Sequence, residues 1–424
     1  MQNKRAIGLL LLANSISGVA QGISMLAVPW YFTGIIHREE LFGKAYFVVT
    51  TLSLLWGLYA GAIIDRYNRR RIFLGINMVG LAVISSIAIT GYWQQGLPWP
   101  LVISVFGVTA LIYNIHFPNL YAYAQEITPK EQYGRITSML EIQGQLTFTL
   151  AGAFAAVLLK GIDGQLHLFG MELNLPFHIR AWQIYEIFAV NAVTYLVAFA
   201  IILRIKSLPV VERNIDTSSL RERVKVGFSF LRKHPLLLHF GNASLLIFLT
   251  IIVFGTYVMA VYVKQFLKMD GDVYAVADMS FSFGALLAGL LTTRLFGERN
   301  VVGGIIILSA LAGLMYALMI FNTVLAIFFL AQFIIGACNA AIRIQRITFL
   351  FHHVPNHVIG RANSIFFVMN VAQRLCLIAL FTLPFFHQNN NIVYATGIMS
   401  VICLLGAGIL LYYYRDLEKL KTVA

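Results

Sequence analysis

The sequence predicts an all-α integral membrane protein with twelve transmembrane helices in two pseudo-symmetric six-helix bundles. Three observations carry that prediction. The chain is 59% hydrophobic and 12% charged, with mean hydropathy +0.78, where an ordinary soluble protein carries about 25% charged residues. Such a chain cannot cover a soluble surface with polar groups. Its bulk must face lipid, which only helices or closed barrels can do without stranding backbone polar groups. The apolar runs are long and unbroken, which selects helices over the short alternating strands of a barrel. Lastly, two pairs of segments repeat at an offset of about half the chain.

The twelve runs cover roughly residues 6–36, 42–64, 72–94, 99–124, 136–160, 182–204, 240–266, 273–294, 301–321, 324–350, 362–386 and 392–414. Each is long enough to cross about 30 Å of hydrocarbon. The first, from Ala6 to Ile36, is too long for the apolar part of a signal peptide and lacks a cleavage site. Lys4, Arg5, the cluster from Arg66 to Arg71, Lys130, Arg135, the central linker, Arg294, Arg299, Arg361 and the tail share one side if both termini do. By the positive-inside bias that side is cytoplasmic.

The net charge of +13 does not point to nucleic acid. The charges lie between apolar runs and form no single basic face. Cys338, Cys376 and Cys403 all fall inside apolar runs, with neither disulfide nor metal spacing. No metal site or cofactor is expected.

The longest inside segment, 205–239, divides the chain into bundles at 1–204 and 240–424. Within it, Ser219 and Glu222 have capping-box spacing, and Pro235 is read as the end of the segment. Leu220, Val224, Phe228 and Leu231 fall on one face, with Arg221, Arg223, Lys225, Arg232 and Lys233 elsewhere. That pattern predicts an amphipathic helix on the cytoplasmic surface, attracted by anionic lipid. On the outside, residues 165–179 alternate apolar and polar about Phe169-Gly170, which predicts a small β-hairpin.

The repeats are ALLAGLLTTR, 285–294, against GLYAGAIIDR, 57–66, and PNHVIGRANS, 355–364, against PKEQYGRITS, 129–138. They align Gly61 with Gly289, Arg66 with Arg294, Gly134 with Gly360 and Arg135 with Arg361. Both sit at inside ends of helices, and their offsets, 228 and 226 residues, nearly agree. The chain is therefore two parallel six-helix repeats. With that architecture, the run from Gly61 to Arg70, GAIIDRYNRR, resembles the loop motif G-x-x-x-D-R-x-G-R-R of the major facilitator superfamily. Asn68 stands where glycine is usual and is expected to keep the turn by tolerating positive φ. Residues 227–237, GFSFLRKHPLL, are similar to the entry into the second half in drug-exporter-like branches, including macrolide and siderophore exporters.

Gly57 and Gly61, four apart, let another helix approach closely. The resemblance implies that this partner is the eleventh span. It implies a gate at the cytoplasmic side built from Gly57, Gly61, Asp65, Arg66, Arg69, Arg70 and Arg135, with Arg294 and Arg361 as the second-half counterparts. Thr293 replaces the aspartate there, so the gate is expected to act mainly through Asp65.

Ionisable residues inside a span are costly and are functional candidates by default. They are Glu141 in the fifth span, Arg343 and Arg346 in the tenth and Arg374 in the eleventh, with Glu186 and Asp278 nearer the outer ends of the sixth and eighth. Gln332, Asn339, Arg343 and Arg346 fall on one helical stripe, as do Asn14, Ser17, Gln21 and Ser24 in the first span. The resemblance implies a central cavity lined by spans 1, 4, 7 and 10. Tyr113, Asn114 and His116 would join it from the fourth span, and Thr250 and Tyr257 from the seventh. Glu141 and Arg346 lie roughly 9 and 13 Å deep at about 1.5 Å per residue. Glu141 is expected to pair with Arg343 or Arg346 and to take up a proton when the pair breaks; a static ion pair is the alternative. Asp278 is the second proton candidate.

The chain departs from proton-coupled exporters of the superfamily in two places. No arginine lies between Pro100 and Gln125, and residues 144–154 of the fifth span contain no proline. The expected function is a monomeric secondary transporter, moving a small amphiphilic or anionic organic solute by alternating access, by ion-coupled export. Protons and membrane lipid are the other expected partners. Uptake or facilitated diffusion of a metabolite or siderophore is one alternative. A lipid translocator or a non-transporting receptor is another. No nucleophile–base spacing or phosphate loop suggests an enzyme. The expected location is the bacterial inner membrane, with both termini cytoplasmic.

Overall fold

Helices of membrane length follow one another in the order the apolar runs set out. The structure is a computed structural model describing residues 3–129, 132–168, 171–206, 220–296 and 300–420; the side chains of Gly61, Asp65, Arg135, Glu141 and Arg294 lie outside the described residues. Among the described residues, eleven spans are long and apolar enough to cross a membrane. The helix Glu39–Arg66 adds a twelfth of 28 residues, about 42 Å at 1.5 Å per residue. In order the spans are Lys4–Ile35, Glu39–Arg66, Arg69–Gln94, Trp99–Glu126, Tyr133–Lys160, Ile184–Leu203, Pro235–Phe266, Gly271–Phe296, Val301–Phe321, Leu325–His353, Asn356–Phe381 and Val393–Tyr412. They are numbered below as the first to twelfth.

The chain forms two compact units. One comprises Met1–Arg38, Val48–Thr217 and Asp270–Met279, the other Glu39–Phe47, Ser218–Met269 and Ser280–Ala424. The start of the second span thus belongs to the second unit and the start of the eighth to the first, a detail that division at the linker does not capture.

In the first unit, span 1 packs on spans 5 and 6, and span 3 on spans 4 and 6. Glycine makes the first contact close. A Cβ at Gly18 would sit 2.8 Å from a Thr147 methyl, and one at Gly22 would sit 2.6 Å from the Ala151 methyl, so the two helices approach along a four-residue small-residue spacing. Gly161, at φ +79, carries the chain from span 5 into a hairpin. Strand β1 (Ile162–Leu168) pairs antiparallel with β2 (Met171–Ile179), from Ile162 opposite Ile179 to Leu168 opposite Met171. The predicted hairpin is present and begins earlier than expected; its turn at Phe169-Gly170 lies outside the described residues. Glu186 closes the entry to span 6: it pairs with Arg180 and forms a capping box with Gln183. Its role there is structural.

In the second unit, span 9 packs on spans 10 and 12, and span 7 on spans 11 and 12. The linker helix Leu220–Lys233 packs on span 11. Leu231 is fully buried, whereas Phe228 is 56% exposed. The buried face is set by Gly227, four residues before Leu231, whose Cα meets the Arg361 carbonyl with no room for a side chain. The amphipathic helix is therefore present; Leu231 of the expected face is in the contact and Phe228 is not, while the side chains of Leu220 and Val224 lie outside the described residues. Pro235 also departs from expectation. It does not end the segment; it occupies the first turn of the seventh span, with His234 before it as N-cap. Proline suits that position because its missing N–H would have no partner there anyway.

The two units share details the sequence repeat did not reveal. Span 1 ends in a π-helical turn, Tyr31–Ile35, and span 7 ends in another, Tyr262–Phe266. Ile36 N–H donates to Tyr31 O at 3.0 Å and Leu267 N–H to Tyr262 O at 3.1 Å. Each turn is followed by a left-handed residue, His37 at φ 50 and Lys268 at φ 56. At the other end of each unit, Asn68 caps span 3 by accepting from Arg71 N–H at 3.1 Å, and Asn300 caps span 9 by accepting from Gly303 N–H at 3.0 Å. Asn68 has φ −63. It is present as a helix cap and not, as expected, for its tolerance of positive φ.

Candidate functional site

In the first unit the polar stripe of span 1 meets spans 4 and 5. Asn14 Nδ2 donates to Gln143 Oε1 at 2.8 Å, and His116 Nε2 lies 2.7 Å from Asn14 Oδ1. Gln143 Nε2 in turn donates to Ser15 Oγ at 2.8 Å and to Leu11 O at 3.3 Å. Asn14 and His116 are both buried, and the His116 ring meets Phe73 edge-on at 5.3 Å. An amide inside a membrane span needs such a partner, because no water is available to replace it. Farther along the stripe, Ser24 Oγ accepts from Asn191 Nδ2 at 2.9 Å. Gln21 is buried, and its Nε2 has no hydrogen-bond partner among the described residues. Tyr113 and Asn114 are half-buried.

The second unit answers with its own amide pair. Gln373 Nε2 of span 11 donates to Asn242 Oδ1 of span 7 at 3.0 Å. Asn242 and Gln373 lie 228 and 230 residues beyond Asn14 and Gln143, so the side-chain hydrogen bond between the first and fifth helices of a unit is itself repeated, with donor and acceptor exchanged. Neither glutamine was singled out from the sequence. The repeat offset would have found Asn242 from Asn14, but the offset alone does not say that the two amides touch.

A cavity of about 70 Å³ opens between spans 7 and 10 of this unit, lined by Ser244, Leu245, Ile247, Phe248, Asn339, Ile342, Arg343 and Arg346. Span 7 is interrupted there: helix Pro235–Ala243 gives way to a turn at Ser244-Leu245 before helix Leu246–Val253 begins. Asn339, Arg343 and Arg346 line the cavity from span 10. Gln332, on the same stripe, is buried and not among the lining residues, and its Nε2 has no partner among the described residues. Arg374 is half-buried, and its Nε has no hydrogen-bond partner among the described residues. Tyr257 is fully buried and does not line the cavity; its hydroxyl is hydrogen-bonded to His387 Nε2 at 3.0 Å. Asp278 is half-buried, one turn beyond Tyr274, whose ring stacks on Trp30 at 5.8 Å.

The arginines of the loop motif have separate tasks. Arg69 pairs with Glu126 at 2.9 Å and donates to Ala122 O at 2.6 Å, while Asn119 Nδ2 donates to the Arg69 carbonyl at 2.9 Å. Arg70 donates to Ile202 O and Leu203 O, at 3.1 and 2.5 Å. These guanidiniums bind carbonyls in the last turns of spans 4 and 6, where the helix dipole favours a cation. Arg66 and Arg71 are exposed, Arg361 half-buried and Gly57 half-buried. Gly289 faces open space: a methyl added to its Cα would meet nothing within 4 Å.

Residues 10–372 match the sequence profile of the Major Facilitator Superfamily. Among curated proteins, the chain is 23% identical over 296 residues to macrolide efflux protein A of Streptococcus pyogenes, covering 67% of this chain. That alignment spans 65% of the relative's length. It is also 23% identical over 270 residues to the protein of the same name from Enterococcus faecalis, covering 59% of this chain and 73% of the relative. Solved structures agree in fold. A D-xylose-proton symporter superposes with TM-score 0.70 at 12% identity, covering 98% of this chain and all of the symporter. A bacterial homologue of the iron transporter ferroportin superposes with TM-score 0.68 at 14% identity, covering 96% of this chain and 98% of the homologue.

Proposed function

Because the chain belongs to the major facilitator superfamily and is a multi-pass membrane transporter, we propose that it exports a small organic solute by alternating access, coupled to protons. The observation that carries this is the placement of buried polar groups within otherwise apolar spans. Among the described residues, Gln21, Gln332 and Arg374 each keep a buried nitrogen without a hydrogen-bond partner. Such groups are costly in a membrane interior unless a ligand or water uses them. Export is supported by relatives named for macrolide efflux, which makes a macrolide the first cargo to test. The membrane is the bacterial plasma membrane, with both termini cytoplasmic, as the lysine and arginine bias directs.

In this reading Gly57, Gly61, Asp65 and Arg66 carry the gate, with Arg135, Arg294 and Arg361 at its margins, and Arg69 and Arg70 hold the helix ends that frame it. Glu141 is the principal proton carrier and Asp278 the second. The test is flux of a radiolabelled macrolide in proteoliposomes with an imposed pH gradient. Wild type should concentrate the drug against its gradient. Glu141→Gln should lose gradient-driven flux by at least tenfold while keeping drug exchange at equal pH on both sides. Full gradient-driven flux in Glu141→Gln would remove Glu141 from the coupling step.

A further inference from the structure

The linker helix Leu220–Lys233 meets span 11 at a definite level. Gly227 lies on the Arg361 carbonyl, and a Cβ there would also sit 3.1 Å from the Ile365 side chain. Those two residues open the apolar stretch of span 11, the 21 residues Arg361–Phe381. That stretch is about 31 Å long at 1.5 Å per residue, close to the roughly 30 Å of the hydrocarbon layer. Its first turn therefore marks the boundary between acyl chains and head groups. The linker helix is docked at that boundary, and His234 alone separates it from the start of span 7.

Docking occupies one side of the helix. Gly227 and Leu231, one turn apart, are buried. Lys225, Phe228, Ser229 and Arg232 are exposed, and their helical spacing sets them on a single stripe. Lys233 is exposed beside them. The helix is cationic even with its one carboxylate counted: Arg221, Arg223, Lys225, Arg232 and Lys233 stand against Glu222 alone. Cations by themselves would suit any acidic partner. An exposed aromatic ring between them, at the level of the head groups, suits a bilayer. The ring enters the acyl boundary, and the long lysine and arginine stems lie along it with their charges at the phosphates.

We propose that the stripe of Lys225, Phe228, Ser229 and Arg232, with Lys233 beside it, is a binding surface for anionic phospholipid, with Phe228 set into the acyl boundary. The stripe is not the apolar face that the sequence pattern sets out, because Leu231 of that face is buried. Anionic head groups are drawn to the cations, and the lipid in turn holds the start of span 7 at the membrane surface through the short link at His234. This surface is independent of the cargo and of the coupling ion.

The test reads lipid contact by fluorescence in the full-length protein. Phe228→Trp is reconstituted in phosphatidylcholine vesicles containing brominated phosphatidylglycerol or, in a parallel set, the same fraction of brominated phosphatidylcholine. Bromine quenches a tryptophan beside it, and subtracting the wild-type signal removes the native tryptophans. The added fluorescence should be quenched by both lipids, with phosphatidylglycerol preferred about fivefold or more, the factor that one cation near an anionic surface supplies. Replacing Lys225, Arg232 and Lys233 together by glutamine should bring that preference to within about twofold of unity, while quenching by phosphatidylcholine remains. Ser229→Trp, on the same stripe, should give the same pattern, and thermal midpoints matching wild type show that the variants are folded. Fluorescence of Phe228→Trp that is untouched by either brominated lipid and quenched by aqueous acrylamide places the stripe in water, open to a soluble acidic partner, and overturns the proposal. Equal quenching by the two lipids, or a preference undiminished by the triple change, overturns it as well.

Discussion

Asn68 and Arg69, adjacent in the loop motif, hold the start of span 3 by different means. The Asn68 side chain accepts from Arg71 N–H, and asparagine is among the preferred N-caps. Asn68→Ala is expected to lower stability by about 1 kcal/mol, read as an earlier midpoint in thermal unfolding. Asn68→Gly should cost only a few tenths. Arg69→Gln should cost more, about 2 kcal/mol, because Glu126 would keep a half-buried charge without its partner. The sequence draws the eye to Asn68 as a departure from glycine and suggests positive φ as its reason. The backbone has φ −63 instead, and the capping role becomes readable only when the start of span 3 is known to a residue. His387 is not legible at all, because nothing in its sequence neighbourhood distinguishes it from a wet loop histidine. Burial pushes its imidazole below the ordinary value of about 6.5, with Glu39 and Glu40 partly opposing the shift. Protonation therefore favours the unfolded form. The stability that neutral His387 contributes is full above about pH 6.5 and is lost as pH falls toward the lowered value. Thermal midpoints of wild type should drop between pH 7 and 5, and His387→Gln should show a flatter profile over that range.

At the scale of elements, the helices are legible because their apolar runs are long. Their contacts are not, because small residues occur throughout and sequence does not say which ones are used. The motif points to Gly57 and Gly61, and to Gly289 as a counterpart. Gly289 faces open space, while glycines outside any motif make the close crossings. Spans 8 and 10 touch reciprocally: Gly284 lies on the Phe333 carbonyl and Gly336 on the Phe281 carbonyl. The energetic consequence depends on what the added methyl would meet. At Gly18 it meets a Thr147 methyl at 2.8 Å, a side chain that can give. At Gly336 it meets backbone, which cannot move without its helix. Gly336→Ala is therefore expected to cost about 3 kcal/mol and Gly18→Ala about 1 kcal/mol, within the range for overpacked sites. Melting curves of the two variants in one detergent give the comparison, and equal losses would mean that the helices of the eighth and tenth spans separate freely. The linker helix follows the same rule. Leu231 is buried as its amphipathic pattern suggests, but Gly227, which the pattern does not single out, makes the close approach to span 11 that leaves Phe228 exposed.

At the scale of the whole molecule, two short matches at nearly one offset are enough to reveal the duplication. The structure extends the repeat to features that leave little trace in residue identity: the π-helical ends of spans 1 and 7, the asparagine caps of spans 3 and 9, and the asparagine–glutamine bonds in each unit. What the repeat keeps is backbone geometry and hydrogen-bonding capacity, and many side chains can satisfy those. The ionisable residues break the symmetry. His116 extends the amide network in the first unit, whereas paired arginines line a cavity in the second, so the halves cannot be chemically equivalent even where their helices correspond. Orientation is the property that belongs only to the molecule entire. In the proposed topology six spans in each half return the chain to its starting side, so both termini share a face, and the cluster from Arg66 to Arg71 is expected to set which face. A C-terminal green fluorescent protein fusion should fluoresce, since it folds only in the cytoplasm. Alkaline phosphatase inserted between Phe169 and Gly170 should be active, since it needs the oxidising exterior. Replacing Arg69, Arg70 and Arg71 together by glutamine should reduce fluorescence without producing phosphatase activity at the C-terminus. Later clusters, including Arg221 to Lys233, still hold the second half in place. Full inversion after that triple change would mean that the first loop alone orients the chain.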